Sequence, residues 1–233
     1  MPTPLTFLDF ARVSAAVYDP SISSVGGFTR SNDTRRWSGF QGAIYTRANG
    51  GGFDVLVAYA GTQPTDGMGR DIVTDVGFGG NTATALSPVL GIMGWALLNH
   101  QIGCAVELLL LAQRNAPRSG RIFVCGHSLG GGLAAIVAAQ TGTPAVPISS
   151  PAVTGVDGVY ADYLRTRRPK ITCLRIKNDP INHTGIVGDW LGRIVLLNSP
   201  RTGGDAHSID MTQAELEPSG SFSGLGARDP FAT

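Results

Sequence analysis

Apolar residues at Leu5, Leu8, Phe10, Ala11, Ala15 and Tyr18 recur at the three-to-four-residue interval of one helix face, which predicts an N-terminal helix laid over a core. Residues 21–39 lose that period and are rich in Gly, Ser and Asn, the composition of a loop, with a short edge strand at 28–30. Two β-branched and aromatic runs, 41–47 and 54–60, flank Ala48-Asn49-Gly50-Gly51-Gly52 and predict a hairpin. Further strands are expected at 121–125, 145–149, 171–176 and 193–197, with helical stretches at 95–115, 128–141 and 160–166 and another helix after residue 207. Strands alternating with helices imply an α/β fold whose mostly parallel central sheet carries helices on both faces. Ligands of such sheets bind beyond the carboxyl ends of the strands. Residues 218–233, rich in Gly, Ser and Pro and without a period, are expected to form a loosely ordered tail. No repeat or linker divides the 233 residues, so one domain is expected.

Composition narrows the function classes. A formal net charge of +1 and 15% charged residues argue against nucleic acid as a partner. Three cysteines, Cys104, Cys125 and Cys173, form an odd set, two of them inside strand-like apolar runs, so no disulfide framework is expected. The first 19 residues lack the basic and continuous apolar regions of a signal peptide, and the most apolar run, 106–112, is too short to cross a bilayer. The expectation is a soluble chain with no transmembrane segment, cytoplasmic or exported by a non-classical route. Nothing in the sequence sets an oligomeric state.

The chemistry is concentrated at 121–132, where the apolar run Arg-Ile-Phe-Val-Cys feeds directly into Gly-His-Ser-Leu-Gly-Gly-Gly. With 32 glycines in the chain, a G-x-S-x-G pattern alone is weak. A strand before it and a small apolar stretch after it, 133–141, supply the context of a nucleophile elbow with Ser128 at its apex. No G-x-x-x-x-G-K-[ST] run is present, which sets aside a phosphate-binding loop of that type.

A serine hydroxyl needs an imidazole to take its proton and a carboxylate to hold the imidazole in the right tautomer. Only His183 and His207 lie downstream of Ser128. His207, on a glycine-rich loop after the last expected strand, fits the base better than His183, which follows the favoured acid by four residues. Asp179 directly follows the strand 171–176 and would project at the sheet's carboxyl edge. Asp157, Asp162, Asp189 and Asp205 fit less well, and Asn178-Asp179-Pro180 also reads as a simple turn. Donors for a developing oxyanion are expected from the Leu129 amide, just past the nucleophile, and from Thr62, in the Ala60-Gly61-Thr62 turn after the strand 54–60.

These residues resemble the class 3 lipase family of α/β-hydrolases over roughly 8–210. Ala60-Gly61-Thr62 with Asp71 and Asp75 is similar to the family's R-G-[ST] segment and trailing W-x-x-D. Residues 126–131 resemble the G-H-S-L-G-G elbow, Ser150-Pro151 the G-S-P loop, and 179–183 the D-x-x-P-H acid segment. The chain departs from the pattern at Ala60, in having no tryptophan at 72–74, and in a short acid-to-histidine interval. The resemblance implies an α/β-hydrolase fold, hydrolysis of carboxylic esters of acylglycerols or phospholipids at a membrane or lipid surface, and a Ser128, Asp179, His207 triad.

Residues 78–95 fall where such lipases carry a lid. Apolar Leu86, Val89, Leu90 and Met93 there would contact the acyl chain. Asp66, Asp71 and Asp75 lack the spacing of an EF-hand, and no metal or organic cofactor is expected. The same triad serves acyltransferases and thioesterases, and a hydrolase scaffold can also carry a non-catalytic binding protein.

Overall fold

The structure, a computed structural model, describes residues 3–61, 88–116, 119–183 and 188–232, the side chains of 88–95 and His183 excepted. The chain opens with helix α1 (Phe7–Ala16), started by a capping box in which Thr6 Oγ1 accepts the Asp9 amide and Asp9 accepts the Thr6 amide. Four strands follow, β1 (Ser24–Val25), β2 (Phe28–Arg35), β3 (Gln41–Asn49) and β4 (Gly52–Tyr59), each antiparallel to the last. Strand β2 is longer than its sequence suggests. Of its eight residues only Phe28 is buried, so the polar run Thr-Arg-Ser-Asn-Asp-Thr-Arg hides a strand that is held by pairing with β3.

From β4 onward the sheet is parallel: β5 (Gly120–His127), β6 (Ala145–Ile148), β7 (Thr172–Ile176) and β8 (Arg193–Leu197) join in sequence order to complete eight strands. Parallel neighbours need long crossovers. Three of the four carry an α-helix, α2 (Pro88–Asn115), α3 (Leu129–Thr141) and α4 (Val159–Arg165), and the described part of the fourth, from β7 to β8, carries the 3₁₀ turn Pro180–His183. After β8 come α5 (Gly203–His207), α6 (Ile209–Leu216) and α7 (Ser223–Gly226).

The two-residue period of β4 divides the core. Val55, Val57 and Tyr59 face α2 and α3, packing with Leu108, Leu109, Leu133 and Val137. Leu56, Ala58 and Ala60 face the opposite layer, with Phe10 and Val13 of α1 and Ile209 and Leu216 of α6. Both faces are therefore covered, and the mostly parallel sheet between helical layers is an α/β-hydrolase architecture. Within α2, Ala96–Asn115 has the length and mean hydropathy (1.2) of a membrane span. Its Ala105, Leu108, Leu109 and Ala112 are core residues, however, so the helix packs on the sheet.

The end of the chain corrects the expectation of a loose tail. The Phe231 ring stacks on Phe123 and meets Phe10 edge-on, and Phe222 and Leu225 pack on the same layer. The Arg228 carbonyl accepts the Phe7 amide at 3.0 Å, and the Pro230 carbonyl accepts the Thr172 hydroxyl at 2.7 Å. Irregularly spaced aromatics, invisible to a periodicity argument, hold this segment down.

Candidate active site

Strand β5 ends at His127 and α3 begins at Leu129, leaving Ser128 alone to turn the chain. Its φ of 57° and ψ of −130° lie where an L-residue is strained. Contacts on every side hold it there: its amide donates to the Ile148 carbonyl at 3.1 Å, and its carbonyl accepts the Gly132 amide at 3.1 Å. The flanking glycines are a steric necessity. A Cβ on Gly126 would sit 2.5 Å from the Gly130 carbonyl, and one on Gly130 would sit 2.1 Å from the Tyr59 carbonyl oxygen. Only bare backbone lets α3 come this close to β4 and β5. Gly61 extends the same floor, since its Cβ would lie 3.0 Å from that of Ser128. The Ser150-Pro151 loop rests on the first turn of α3, against Gly131 and Gly132.

Asp179 lies three residues beyond β7, fully buried. It closes an Asx-type turn, its Oδ1 accepting the Ile181 amide at 2.9 Å. Its two carboxylate oxygens each lie 3.0 Å from His207 Nδ1, and His207 Nε2 lies 2.9 Å from Ser128 Oγ. A carboxylate only accepts, so Nδ1 carries the ring hydrogen and Nε2 is left to accept the serine hydroxyl. Residues 128, 179 and 207, far apart in the chain, thus form one hydrogen-bonded row at the carboxyl edge of the sheet.

The other carboxylates weighed from the sequence do not join it. Asp162 pairs with Arg165 at 3.0 Å, and Asp157, Asp189 and Asp205 are exposed. The backbone of His183 ends the short 3₁₀ turn Pro180–His183. Leu129 is the first residue of α3, where a helix amide has no intrahelical acceptor. Thr62, Leu86, Asp66, Asp71 and Asp75 lie outside the described residues, as do the side chains of Val89, Leu90 and Met93 in α2. Among the described residues no group of three or more His, Cys, Asp or Glu side chains is arranged to hold a metal.

Two residues of the site went unrecognised in the sequence. His127 Nε2 lies 2.6 Å from the His207 carbonyl oxygen, and its Nδ1 lies 3.1 Å from the Tyr18 hydroxyl. A carbonyl only accepts, so Nε2 bears the hydrogen and Tyr18 donates to Nδ1. The same Tyr18 oxygen accepts the Gly61 amide at 2.8 Å. A directed chain therefore runs from the turn after β4, through Tyr18 and His127, to the backbone of His207. Burial, reinforced by the nearby His207, pushes the His127 pKa down to about 3, and burial raises that of Tyr18. The signals were present, His127 inside the elbow motif and Tyr18 closing the first helical stripe, but each also reads as ordinary packing.

No family model matches the sequence, and no curated protein does. Solved structures do match in shape. A point mutant of MDLA from Penicillium cyclopium superimposes with a TM-score of 0.54 at 17% identity, over 84% of this chain and 80% of that one. Lipase II from Rhizopus niveus gives 0.50 at 14% identity, over 96% and 95%. The protein has a class 3 lipase-like α/β-hydrolase fold. Mono- and diacylglycerol lipase from Aspergillus oryzae shares this lipase-like fold, with a TM-score of 0.50 at 17% identity over 88% of this chain and 86% of that one. At such identities the likeness is one of fold.

Two outcomes follow from the geometry of the elbow. Replacing Ser128 by Gly relieves the strained backbone and should raise stability by about 1 kcal/mol, seen as a higher urea midpoint, whereas Ser128→Ala should give no such gain. Equal midpoints for the two variants would remove the strain. The second concerns acid. An unfolded His127 takes a proton near its ordinary value of 6.5, while the folded one resists until about 3. Its contribution to stability is therefore complete above pH 6.5 and is lost as pH falls toward 3. His127→Asn should lose less stability than the parent over that window, and equal losses would mean that His127 is protonated when folded.

Proposed function

We propose that the protein is a serine carboxylic ester hydrolase of lipase type, acting through an acyl-enzyme. The observation that carries this reading is the Asp179–His207–Ser128 row, with contacts of 3.0 and 2.9 Å ending on a serine at a strained strand-to-helix turn. In the first half-reaction His207 Nε2 takes the hydroxyl proton as Ser128 Oγ bonds to the acyl carbon. The tetrahedral oxyanion forms beside the start of α3, where the Leu129 amide donates to it, with Thr62 as the second donor by the resemblance. His207 returns the proton to the departing alcohol as the ester C–O bond breaks. Water then repeats the sequence on the acyl-serine, releasing the carboxylic acid and restoring the serine. Asp179 stays ionised throughout, keeping the imidazole in its tautomer and stabilising the imidazolium.

Acylglycerol or phospholipid esters are the substrate class that fits best. Two of the neighbours in fold are named as lipases, one of them a mono- and diacylglycerol lipase. Apolar Leu86, Val89, Leu90 and Met93, in the stretch where the resembled family has its lid, suit an acyl chain. No cofactor enters the scheme.

The test is a chain-length series of esters presented to the parent and to Ser128→Ala. The parent should hydrolyse them, and the variant should lose on the order of 10⁴-fold or more in kcat with an unchanged circular-dichroism spectrum. A variant retaining full activity would place the chemistry elsewhere.

A further inference from the structure

His207 sits at the end of an element that cannot hold itself in place. Helix α5 is five residues long and opens with Gly203 and Gly204, where an added Cβ would meet nothing within 4 Å. So short a helix is unstable alone, and glycine adds backbone freedom. Ala206 is buried against the layer of α1 and α6, but Asp205 is exposed. The last residue of α5 therefore depends on grips from outside the helix. One is the bond from His127 Nε2 to the His207 carbonyl. The other comes from Arg201.

Arg201 lies between β8 and α5, and all three of its guanidinium nitrogens are engaged. Nη1 donates to the Asp205 carbonyl at 2.6 Å, which the Ser208 amide meets only at 3.4 Å. Nη2 donates to Glu215 at 2.6 Å and to the Thr212 hydroxyl at 3.3 Å, and Nε donates to Ser199 Oγ at 3.0 Å. The buried Ser199 passes its own hydroxyl hydrogen to the same Glu215 carboxylate at 2.8 Å. Glu215 and Thr212 belong to α6, whose Ile209 and Leu216 are core residues, so the guanidinium ties the end of α5 to a packed helix. A planar fork meets a carbonyl, a carboxylate and two hydroxyls at once, which a lysine ammonium does not. The Arg201 backbone reaches the other side of the row as well. Its carbonyl accepts Asn178 Nδ2 at 2.9 Å, and Asn178 directly precedes Asp179. One residue thus meets both the helix that carries the imidazole and the turn that carries the carboxylate.

We propose that Arg201 is a positioning residue of the proton-passing row, keeping His207 Nδ1 on Asp179 and Nε2 within reach of Ser128. It touches no reacting atom and acts through the Asp205 carbonyl, two residues before His207. With that grip gone, α5 loosens at its glycines and the imidazole leaves the line. A misplacement on the order of 1 Å costs about a hundredfold in rate. The effect on rate rests on the ester-hydrolase reading, whereas the hydrogen bond between His207 and Asp179 exists without turnover.

The experiment pairs the rate of fluorophosphonate labelling at Ser128 with proton NMR of the His207 ring N–H that bonds to Asp179, its resonance assigned by loss in His207→Gln. Arg201→Met with Glu215→Leu replaces the ion pair by apolar side chains, a change that should leave stability near that of the parent. Labelling should nevertheless slow by about 30-fold or more, and the downfield ring resonance should broaden or vanish. Arg201→Lys should recover part of the rate, since it keeps the charge without the fork. Arg12→Met breaks a pair of α1 with Glu217, just past α6, and should label within about twofold of the parent. Labelling of the apolar pair within about threefold of the parent, an unchanged His207 resonance, or equal slowing by Arg12→Met overturns the proposal. Should the apolar pair not fold, Arg201→Lys decides: a rate about fivefold or more below the parent is expected, and an equal rate overturns it. If the parent is not labelled, the catalytic reading falls and the ring resonance still decides what holds His207.

Discussion

The whole site depends on one steric constraint: three backbone segments meet at a point where no side chain fits. The ends of β4 and β5 and the start of α3 approach so closely that Gly126 and Gly130 have no room for a methyl group. That approach drives Ser128 into its strained conformation and puts its hydroxyl beyond the sheet. Packing on both faces supplies the force. Core residues of α3 press against one layer of side chains while α1 and α6 press against the other, and the elbow is clamped between them. Strain of this kind costs on the order of 1–3 kcal/mol, a sum that only a well-packed surround sustains.

Electrostatics complete what sterics begin. Asp179 is fully buried and has as partners an amide and the His207 ring, so its charge is used where it stands. The second imidazole, His127, is kept neutral by burial and spends both ring nitrogens on hydrogen bonds, one to the backbone of His207. Two histidines 4.7 Å apart thus take different parts. One accepts the serine hydroxyl, and the other braces the backbone at the end of α5, which carries the first. The Gly61 amide at the far end of that brace ties the turn after β4 into the same network.

Much of this was legible in the residues because it was local. The elbow is one contiguous motif, and the strand runs around 54–60, 121–125 and 171–176 are apolar on both faces, so their positions could be read directly. Ser128 directly follows β5 and Asp179 lies three residues beyond β7, positions a strand reading can reach, whereas His207 was read as loop and ends the short helix α5. What escaped was nonlocal. Strand β2 is polar and exists through its pairing with β3, and the last residues are fixed by three apolar side chains with no period. The bond from Tyr18 to His127 spans 109 residues, and nothing in either neighbourhood announces it.

The central claim is that Asp179 sets the tautomer that lets His207 take the proton of Ser128. The most direct measurement is the second-order rate at which a fluorophosphonate labels Ser128 in the parent and in Asp179→Asn. The asparagine keeps the shape but removes the charge and favours the wrong ring hydrogen, so labelling should slow by on the order of 10⁴-fold while the fold is retained. A rate within tenfold of the parent would show that the row of hydrogen bonds is not a path for the proton.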